Sequence, residues 1–314
     1  MKMWIHTNSA SGGAPAHRRV MSRNTKKNIF IAGMLLIPVV HFIVFWIGVN
    51  FNSILLAFQK TDAAGKIKFT FDNFTRIPTL FSKGGELLVS LENTLITWAF
   101  LTVFLLPWAF TLTYFLYKKV FLSGFFRTML FIPTILPAVA MTSIFAYLIM
   151  PDAPFGAVLT KLVGNPSAAF LYQEKYARWT IVGYIFWTNF GGSFILLSGA
   201  MSRIPKEVLE SARIDGAGMR VEMLRIVLPL CWPTVSMLIL MNVASLFTVS
   251  GPILLLTKGR NNSATLSYWF FDQINGLKRF NITSAAGLVF TAVLFPIVLL
   301  TRWGLGKVYA NVEF

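Results

Sequence analysis

The chain has few charged residues and very few acidic ones. Only 13% of its 314 residues are Asp, Glu, Lys or Arg, whereas soluble domains usually carry about 25%. The 12 acidic residues are outnumbered by 28 Lys and Arg, so the formal charge is +16. Hydrophobic residues make up 55% of the chain, and long apolar runs alternate with short polar ones. This composition argues against an ordinary soluble core and predicts a membrane protein.

The residues that most catalytic and metal sites require are also scarce. Cys231 is the single cysteine, and the three histidines, His6, His17 and His41, are far apart in the sequence. No Cys/His cluster has metal-ligand spacing, and no Gly-rich Lys-Ser/Thr loop could hold nucleotide phosphates. We therefore expect a chain that is not an enzyme, with no catalytic residue, metal or cofactor of its own. Any energy for its work has to come from another subunit.

Six apolar runs, each near the roughly 20 residues that a bilayer core requires, predict an all-α polytopic membrane protein with six transmembrane helices. A basic tail without acidic residues, 1–28, precedes them, and 29–90 should hold the first helix and a long outer loop. We expect 91–314 to form the core of the protein, with a polar loop at 203–229. The predicted spans are about 29–56, 91–117, 127–149, 179–201, 230–256 and 282–303.

The distribution of Lys and Arg predicts the orientation. The tail, the Lys118 to Arg127 connection and the loop 203–229 together hold a small excess of Lys and Arg over the opposite side. By the positive-inside rule, both termini and this loop should be cytoplasmic. Because the charges are spread over loops between apolar spans, they suit anionic lipid headgroups rather than nucleic acid.

The loop 203–229 has residues that typically start and end helices, and they predict two short helices. Pro205 suits a first helical turn, and Glu207 lies where the positive helix end favours an acid. Gly216 and Gly218 should end the first helix. A second stretch, 219–228, should stop before Pro229. We call this bent, partly polar loop, 203–229, the hook; it could lie in a groove of a partner protein.

The same loop carries a family resemblance. Glu210-Ser-Ala212, Asp215-Gly-Ala217 and Leu228-Pro229 resemble the "EAA" loop of the membrane subunits of bacterial ATP-binding-cassette (ABC) importers, which usually have Ala where this chain has Ser211. The resemblance covers about 90–303 and is closest to carbohydrate permeases. It implies a type I ABC importer transmembrane domain in the bacterial inner membrane. By this resemblance the residues that couple to the ATPase are Glu207, Glu210, Ala212, Asp215, Gly216, Ala217, Leu228 and Pro229.

The resemblance also implies partners. Two ABC ATPase subunits should bind ATP and Mg and grip the loop, and an extracytoplasmic solute-binding protein should deliver the solute. The segment 256–265 is similar to one in the larger maltose-transporter permease and in glycerol-phosphate "A" type permeases, although Arg260 and Asn261 replace the usual Gly-Pro. This similarity implies a heterodimer with a second, homologous permease subunit.

Polar residues within the predicted spans are candidates for the solute pathway. By alignment from the loop motif, Thr134, Thr188, Asn189, Gly192 and Asn242 match sugar-contacting positions of maltose-type permeases. Helical spacing from Asn242 adds Ser245 and Thr248, and Trp187 has a ring that could stack on a sugar. The alternative for each polar residue is a hydrogen bond within its own helix or to a neighbouring helix, and for Trp187 it is packing.

These observations predict a permease that imports a sugar or oligosaccharide by alternating access. An ABC importer for phosphate, polyamine, peptide or amino acid is an alternative that the sequence leaves open. An ion-coupled secondary transporter would need intramembrane ionisable residues and paired repeats, and neither is visible. A membrane enzyme is disfavoured because the sequence shows no pair of catalytic residues. The ATPase-coupling loop argues against both an enzyme and a protein-insertion factor.

Overall fold

The computed structural model describes residues 23–61, 66–81, 85–165, 167–248 and 251–308. Most of the predicted basic tail therefore lies outside the described residues. The chain divides into two compact units, 1–53 and 54–314. The predicted domain boundaries at 28 and 90 stay predictions.

The described part is almost entirely helical. Three π-helical stretches, Phe42–Ile47, Leu101–Leu105 and Glu222–Val227, each lie between two α-helical segments without a break. The α-helices are Arg23–His41, Gly48–Ala57, Asp72–Thr75, Ile77–Leu80, Glu86–Phe100, Leu106–Tyr117, Ser123–Ile135, Ala138–Leu148, Pro154–Val163, Glu174–Met201, Lys206–Ile214, Met219–Val221, Leu228–Leu230, Trp232–Ala244, Gly251–Leu256, Leu266–Asn275 and Phe280–Val308.

Four continuous helices are long and apolar enough to cross a membrane, and two bent helix pairs pass the same test. With each bent pair taken as one span, the described residues hold six spans, and the predicted all-α membrane fold is confirmed. We number them in chain order: span 1 Lys27–Ala57, span 2 Glu86–Tyr117, span 3 Ser123–Ile135 with Ala138–Leu148, span 4 Glu174–Met201, span 5 Met219–Leu230 with Trp232–Ala244, and span 6 Phe280–Val308.

Span 3 is not the single helix that the sequence predicted. Its two halves meet at an angle of 112°. Pro137 has no N–H to donate, and it forces the preceding Leu136 into an extended conformation with ψ of 143°. A lipid-exposed break of this kind would leave backbone groups unsatisfied, so we expect protein or water beside it.

Span 5 also differs from the prediction of one helix over 230–256. Its second half ends at Ala244, turns follow, and a separate short helix occupies Gly251–Leu256. The prediction that the preceding stretch stops before Pro229 was wrong as well, because the helix continues to Leu230. A π-helical turn precedes Pro229, and there the Leu228 N–H donates to the Met223 carbonyl, five residues back. The 72° bend comes later, at Cys231.

Span 4 is at the centre of the second unit. It contacts the second half of span 2, the first half of span 3 and the second half of span 5. The cluster of buried residues at its end nearest the loop includes Tyr114, Leu197, Met201, Val227 and Cys231, all at most 1% exposed. Spans 2, 4 and 5 therefore share one core with the base of the polar loop.

A small hairpin lies in the predicted outer loop. Strands Gln59–Thr61 and Ile67–Phe69 pair antiparallel, with Lys60 opposite Lys68. The buried Asn73 amide donates to the Gln59 carbonyl at 2.9 Å, which fixes the hairpin to the short helix that follows. The Lys60 ammonium hydrogen-bonds the Asp72 carboxylate at 2.9 Å and lowers its pKa. Neither strand was predicted from the sequence.

Candidate functional site: the loop between spans 4 and 5

The first helix of the loop, Lys206–Ile214, has one packed face and one free face. Leu209 and Ala212 are buried, at 6% and 7% exposure. Glu207 and Glu210 are exposed. Val208, Ser211 and Asp215 are exposed as well. The helix thus exposes its acidic side chains, while its apolar face packs against the rest of the protein.

A tight turn ends this helix. Gly216 has φ of +78°, a left-handed conformation that favours glycine. The Ala217 N–H donates to the Ala212 carbonyl at 2.9 Å and the Gly216 N–H to Arg213 at 3.0 Å, the pattern of a Schellman motif. A Cβ at Gly216 would meet nothing within 4 Å. The glycine is therefore required for its backbone conformation and not for space.

The second helix of the loop begins at Met219 and continues into span 5. Leu228 and Pro229 lie in it and are half-buried. At a rise of about 1.5 Å per residue, Pro229 is roughly 15 Å along the helix axis from Met219. The eight predicted coupling residues therefore do not form one patch. Glu207, Glu210 and Asp215 lie on the exposed hook, whereas Leu228 and Pro229 lie at its base.

A buried ion pair joins the hook to span 2. Glu222 is 3% exposed, and its Oε1 contacts the Lys118 Nζ just beyond the end of span 2. The Arg213 Nε, on the first loop helix, lies 3.8 Å from Oε2 of the same carboxylate. One carboxylate thus connects span 2 with both helices of the loop. Sequence reasoning missed Glu222, although it is the single acid of Met219–Leu230, a stretch otherwise apolar and basic.

A groove of about 210 Å³ runs along the first helix of the loop. Four cations and one carboxylate line it, so its field favours an acidic partner group. The lining residues are Tyr117, Lys118, Lys119, Lys206, Leu209, Glu210 and Arg213.

The predicted pathway residues of spans 3 and 4 use their donors within their own helices. The Thr134 hydroxyl donates to Phe131 at 2.7 Å, and the Asn189 amide donates to Ile185 at 2.9 Å. Thr188 donates to Tyr184 in the same way, at 3.0 Å. These contacts are the alternative that the sequence left open. Thr134, Asn189 and Gly192 are nevertheless exposed on the second unit.

Spans 3 and 4 approach closely at these positions. A Cβ built on Gly191 would lie 2.6 Å from Thr134 Cγ2. Glycine at 191 therefore lets the broken part of span 3 rest on span 4 beside Gly192, where a Cβ would meet nothing within 4 Å. The structure thus brings Thr134 next to Gly191 and Gly192, and the role of Thr134 and Gly192 in the pathway stays a prediction.

Span 5 places its candidates beside span 2. Asn242 and Ser245 line a cavity of about 20 Å³ together with Thr94 and Thr97. The Ser245 hydroxyl donates to the Asn242 carbonyl at 3.2 Å, and Thr248 donates to Ser245 at 2.8 Å. Ser245 and Thr248 are in the turns after the helix, so the helical spacing assumed for them does not hold.

Trp187 does not join the other candidates. It lines a separate apolar cavity with Phe145, whose ring centroid is 6.2 Å away. Two residues along a helix correspond to a rotation of about 200°, so Trp187 and Asn189 point to opposite sides of span 4. This position favours the packing alternative for Trp187.

The segment 257–265 is held firmly against span 2. The Asn93 amide donates to the carbonyls of Asn262 and Ala264, at 2.7 and 2.8 Å. Thr94 Oγ1 accepts the Leu266 N–H at 2.8 Å. These contacts give Asn93 and Thr94 a structural reason to be polar within an apolar span. Across the described ranges, no three His, Cys, Asp or Glu side chains are placed to hold a metal ion.

Comparison with known proteins identifies the family. The profile of the binding-protein-dependent transport system inner membrane component matches residues 106–309. The arabinooligosaccharides transport system permease protein AraP of Bacillus subtilis is 24% identical over 272 residues, 84% of each chain. The probable ABC transporter permease protein YesP of the same organism is 26% identical over 184 residues, 57% of this chain and 59% of YesP. The match thus spans less than two thirds of the length of YesP.

A solved structure has the same fold. The bacterial alginate ABC transporter in complex with an alginate pentasaccharide-bound periplasmic protein contains a chain that superposes with a TM-score of 0.78 at 21% identity. The superposition covers 93% of this chain and 99% of that one. Because the family profile spans most of the second unit, including the loop and spans 3 to 6, the chain belongs to the inner membrane components of binding-protein-dependent transport systems.

Proposed function

We propose that this protein is a membrane-spanning permease subunit of an ATP-driven, binding-protein-dependent ABC importer for a carbohydrate. The observation that carries the proposal is the hook between spans 4 and 5. It exposes Glu207 and Glu210, turns at a glycine with positive φ, and is tied to span 2 through a buried carboxylate. The family match covers this whole region.

The hook is where force enters the protein. Two separate ATPase subunits bind ATP and Mg, and the exposed face of Lys206–Ile214 seats in a groove of one of them. Glu210 anchors the hook through polar contacts, and the adjacent basic groove receives acidic groups of the ATPase. The ATPase subunits then carry out ATP hydrolysis, and this chain contributes no catalytic group to it.

The ion pair and the shared core carry that force into the membrane. When the ATPase moves the hook, Glu222 moves Lys118 and the end of span 2, and Val227 moves the core around span 4. Alternating access is a two-state equilibrium, so ATP has to favour one state by several kcal/mol to reverse the populations. A rigid connection between hook and spans is the physical requirement for such a switch.

Carbohydrate is the solute class that the relatives support. AraP is named for arabinooligosaccharides, and the superposed transporter for alginate. The pathway uses the exposed polar groups of Thr134 and Asn189, the half-buried Thr188, the open surface at Gly192, and Asn242 with Ser245 and Thr248. Hydroxyl and amide groups of this kind suit a polyhydroxy solute. Trp187 stays a prediction for stacking on a sugar ring.

The importer function also requires a second permease subunit and a solute-binding protein. A second, homologous permease completes the pathway, since Thr134, Asn189 and Gly192 lie on an exposed surface of this chain. An extracytoplasmic binding protein delivers the solute, as the periplasmic protein in the alginate complex supports. Both termini and the hook are cytoplasmic, in agreement with the excess of Lys and Arg on that side.

The proposal is tested on the co-purified complex. ATP hydrolysis is measured with the binding protein and a panel of oligosaccharides, amino acids, phosphate and polyamines. We expect the complex to contain an ATPase. Its ATP hydrolysis should be stimulated by the binding protein loaded with a carbohydrate and by none of the other solutes. A complex without an ATPase would overturn the importer assignment, and stimulation by a non-carbohydrate solute would overturn the solute class.

A matched pair of variants tests the pathway. Thr134 and Thr301 are threonines that both donate to their own helix, at 2.7 and 2.8 Å; Thr134 is exposed and Thr301 is half-buried. Thr134→Val should raise the KM for uptake, while Thr301→Val, in span 6, should leave it unchanged. Equal KM values for the two variants would remove Thr134 from the pathway.

A further inference from the structure

A small polar cavity lies where span 2 meets the second half of span 5. Its volume is about 20 Å³. Thr94, Thr97 and Trp98 line it from span 2, at steps of three and four residues, so they share one face of that helix. Asn242 of span 5 and Ser245 just after it line the opposite side. Hydroxyl, amide and indole groups therefore converge on this space.

The Trp98 indole brings a buried donor to the cavity. Its Nε1 is shielded from solvent and has no hydrogen-bond partner among the described residues. An indole N–H can only donate, and buried polar groups in folded proteins normally have a partner. Trp98 is the one tryptophan of the described ranges whose Nε1 is buried and unpaired. This donor therefore calls for an acceptor that the chain itself does not provide.

The Asn242 side chain supplies complementary polar groups. Asn242 is half-buried, and its backbone carbonyl accepts from the Ser245 hydroxyl at 3.2 Å. Its side-chain amide makes no hydrogen bond to another residue in the part of the chain that the structure describes. An amide has one acceptor oxygen and two donor hydrogens, so it can bond into the cavity with its oxygen and still present its donors elsewhere.

A single water molecule fits the cavity in both size and chemistry. A cavity needs roughly 10–15 Å³ and two to four polar partners to hold one water. The volume of about 20 Å³ meets the first condition. Trp98, Asn242 and the buried Thr97 hydroxyl meet the second. A sugar ring is far larger than this space, so the solute itself does not enter it.

We propose that one ordered water molecule occupies this cavity, accepts the Trp98 Nε1–H and donates to the Asn242 side-chain oxygen. The water holds Asn242 in one orientation and leaves its two amide hydrogens for hydroxyl groups of the solute. Trp98 is then a positioning residue that acts on the solute through Asn242. This consequence rests on the proposed function, in which Asn242 belongs to the pathway, whereas the water site itself does not.

A map of the complex without solute is the direct test. The intact complex is placed in nanodiscs and imaged by cryo-electron microscopy at a resolution that shows ordered water. We expect a density within hydrogen-bond distance of both Trp98 Nε1 and the Asn242 side-chain oxygen. No density here, in a map that shows other buried waters, would overturn the site. A density that appears only after solute is added would belong to a solute hydroxyl and would also overturn it.

A substitution of equal shape removes the donor alone. Benzothienylalanine has a sulfur atom in place of the indole N–H, so in place of Trp98 it should abolish the water density without opening space. The KM for uptake should rise by about fivefold, the factor for one hydrogen bond of ordinary strength, with kcat unchanged. Trp108, on the same span and 55% exposed, is the matched control, and the same replacement there should change neither value.

The two measurements separate this site from the proposed function. The map is recorded without solute, so its result does not depend on which solute is carried, and the ATPase panel tests the solute class by itself. Equal KM values for the replacements at 98 and 108 would show that Trp98 does not position Asn242. A water density that persists with benzothienylalanine at 98 would show that the indole N–H does not hold the water, and the proposal would be wrong.

Discussion

Replacing Lys118 by methionine removes the cation that contacts the buried Glu222 carboxylate. Methionine keeps most of the length of the lysine side chain, so packing changes little. The Glu222 side chain is 4% exposed and cannot recover the lost contact with water. Arg213 stays within 3.8 Å, but its side chain is 59% exposed and is a weaker partner.

The cost follows from the burial of the pair. Removing one partner of a buried ion pair usually costs about 3–5 kcal/mol. Because Arg213 remains, we expect the lower end, about 3 kcal/mol. At about 2 °C per kcal/mol for a chain of this size, the unfolding midpoint should fall by about 6 °C.

Two further variants make the measurement specific. Lys118→Met combined with Glu222→Met removes both charges, and such a replacement is often close to neutral. The double variant should therefore recover most of the lost stability. Lys119→Met alters the neighbouring, exposed lysine and should change stability by less than about 0.5 kcal/mol.

The assay is the thermal unfolding midpoint of the purified complex at one fixed scan rate, because unfolding of such complexes is commonly irreversible. Uptake per ATP hydrolysed is measured in parallel and should fall in Lys118→Met, since the hook is no longer tied to span 2. If Lys118→Met unfolds at the same temperature as Lys119→Met, the ion pair does not stabilise the hook and the reasoning is refuted.

Three further changes test other parts of the structure. Gly216→Val should cost about 1–2 kcal/mol because φ is +78°, and should abolish stimulation of the ATPase by loaded binding protein. Gly218→Val, with equal space but φ of −68°, should keep that stimulation, and equal stimulation in both variants would contradict the assigned role of Gly216. Asn93→Ala removes two hydrogen bonds of about 1 kcal/mol each and should raise the rate of amide hydrogen exchange in 257–265. An unchanged rate would show that Asn93 does not hold this segment against span 2. Gly259→Ala places a Cβ against the Tyr268 ring at a positive φ. This substitution should lower the unfolding midpoint, and combining it with Tyr268→Ala should restore part of the loss. If the double variant restores nothing, the contact with the Tyr268 ring is not the cause.

Much of the fold could be predicted because its signals are local. A run of apolar residues long enough for the bilayer needs no knowledge of the rest of the chain, and the ends of spans 1, 2, 4 and 6 were predicted to within five residues. The turn of the hook was equally local, since glycine at 216 is needed by the backbone itself. The breaks in spans 3 and 5 were harder, because a proline permits either a kink or a full break, and the neighbouring helices decide between them.

The amino-acid sequence by itself determined the number of spans, the hook and its turn, because hydrophobic length, proline and glycine act within a few residues. Only the tertiary structure decided that Glu222 meets Lys118, that Asn93 holds a segment about 170 residues further along the chain, and that Trp187 packs near the Phe145 ring. Those facts depend on how the helices pack against one another, and no local periodicity encodes which distant side chains share a buried site.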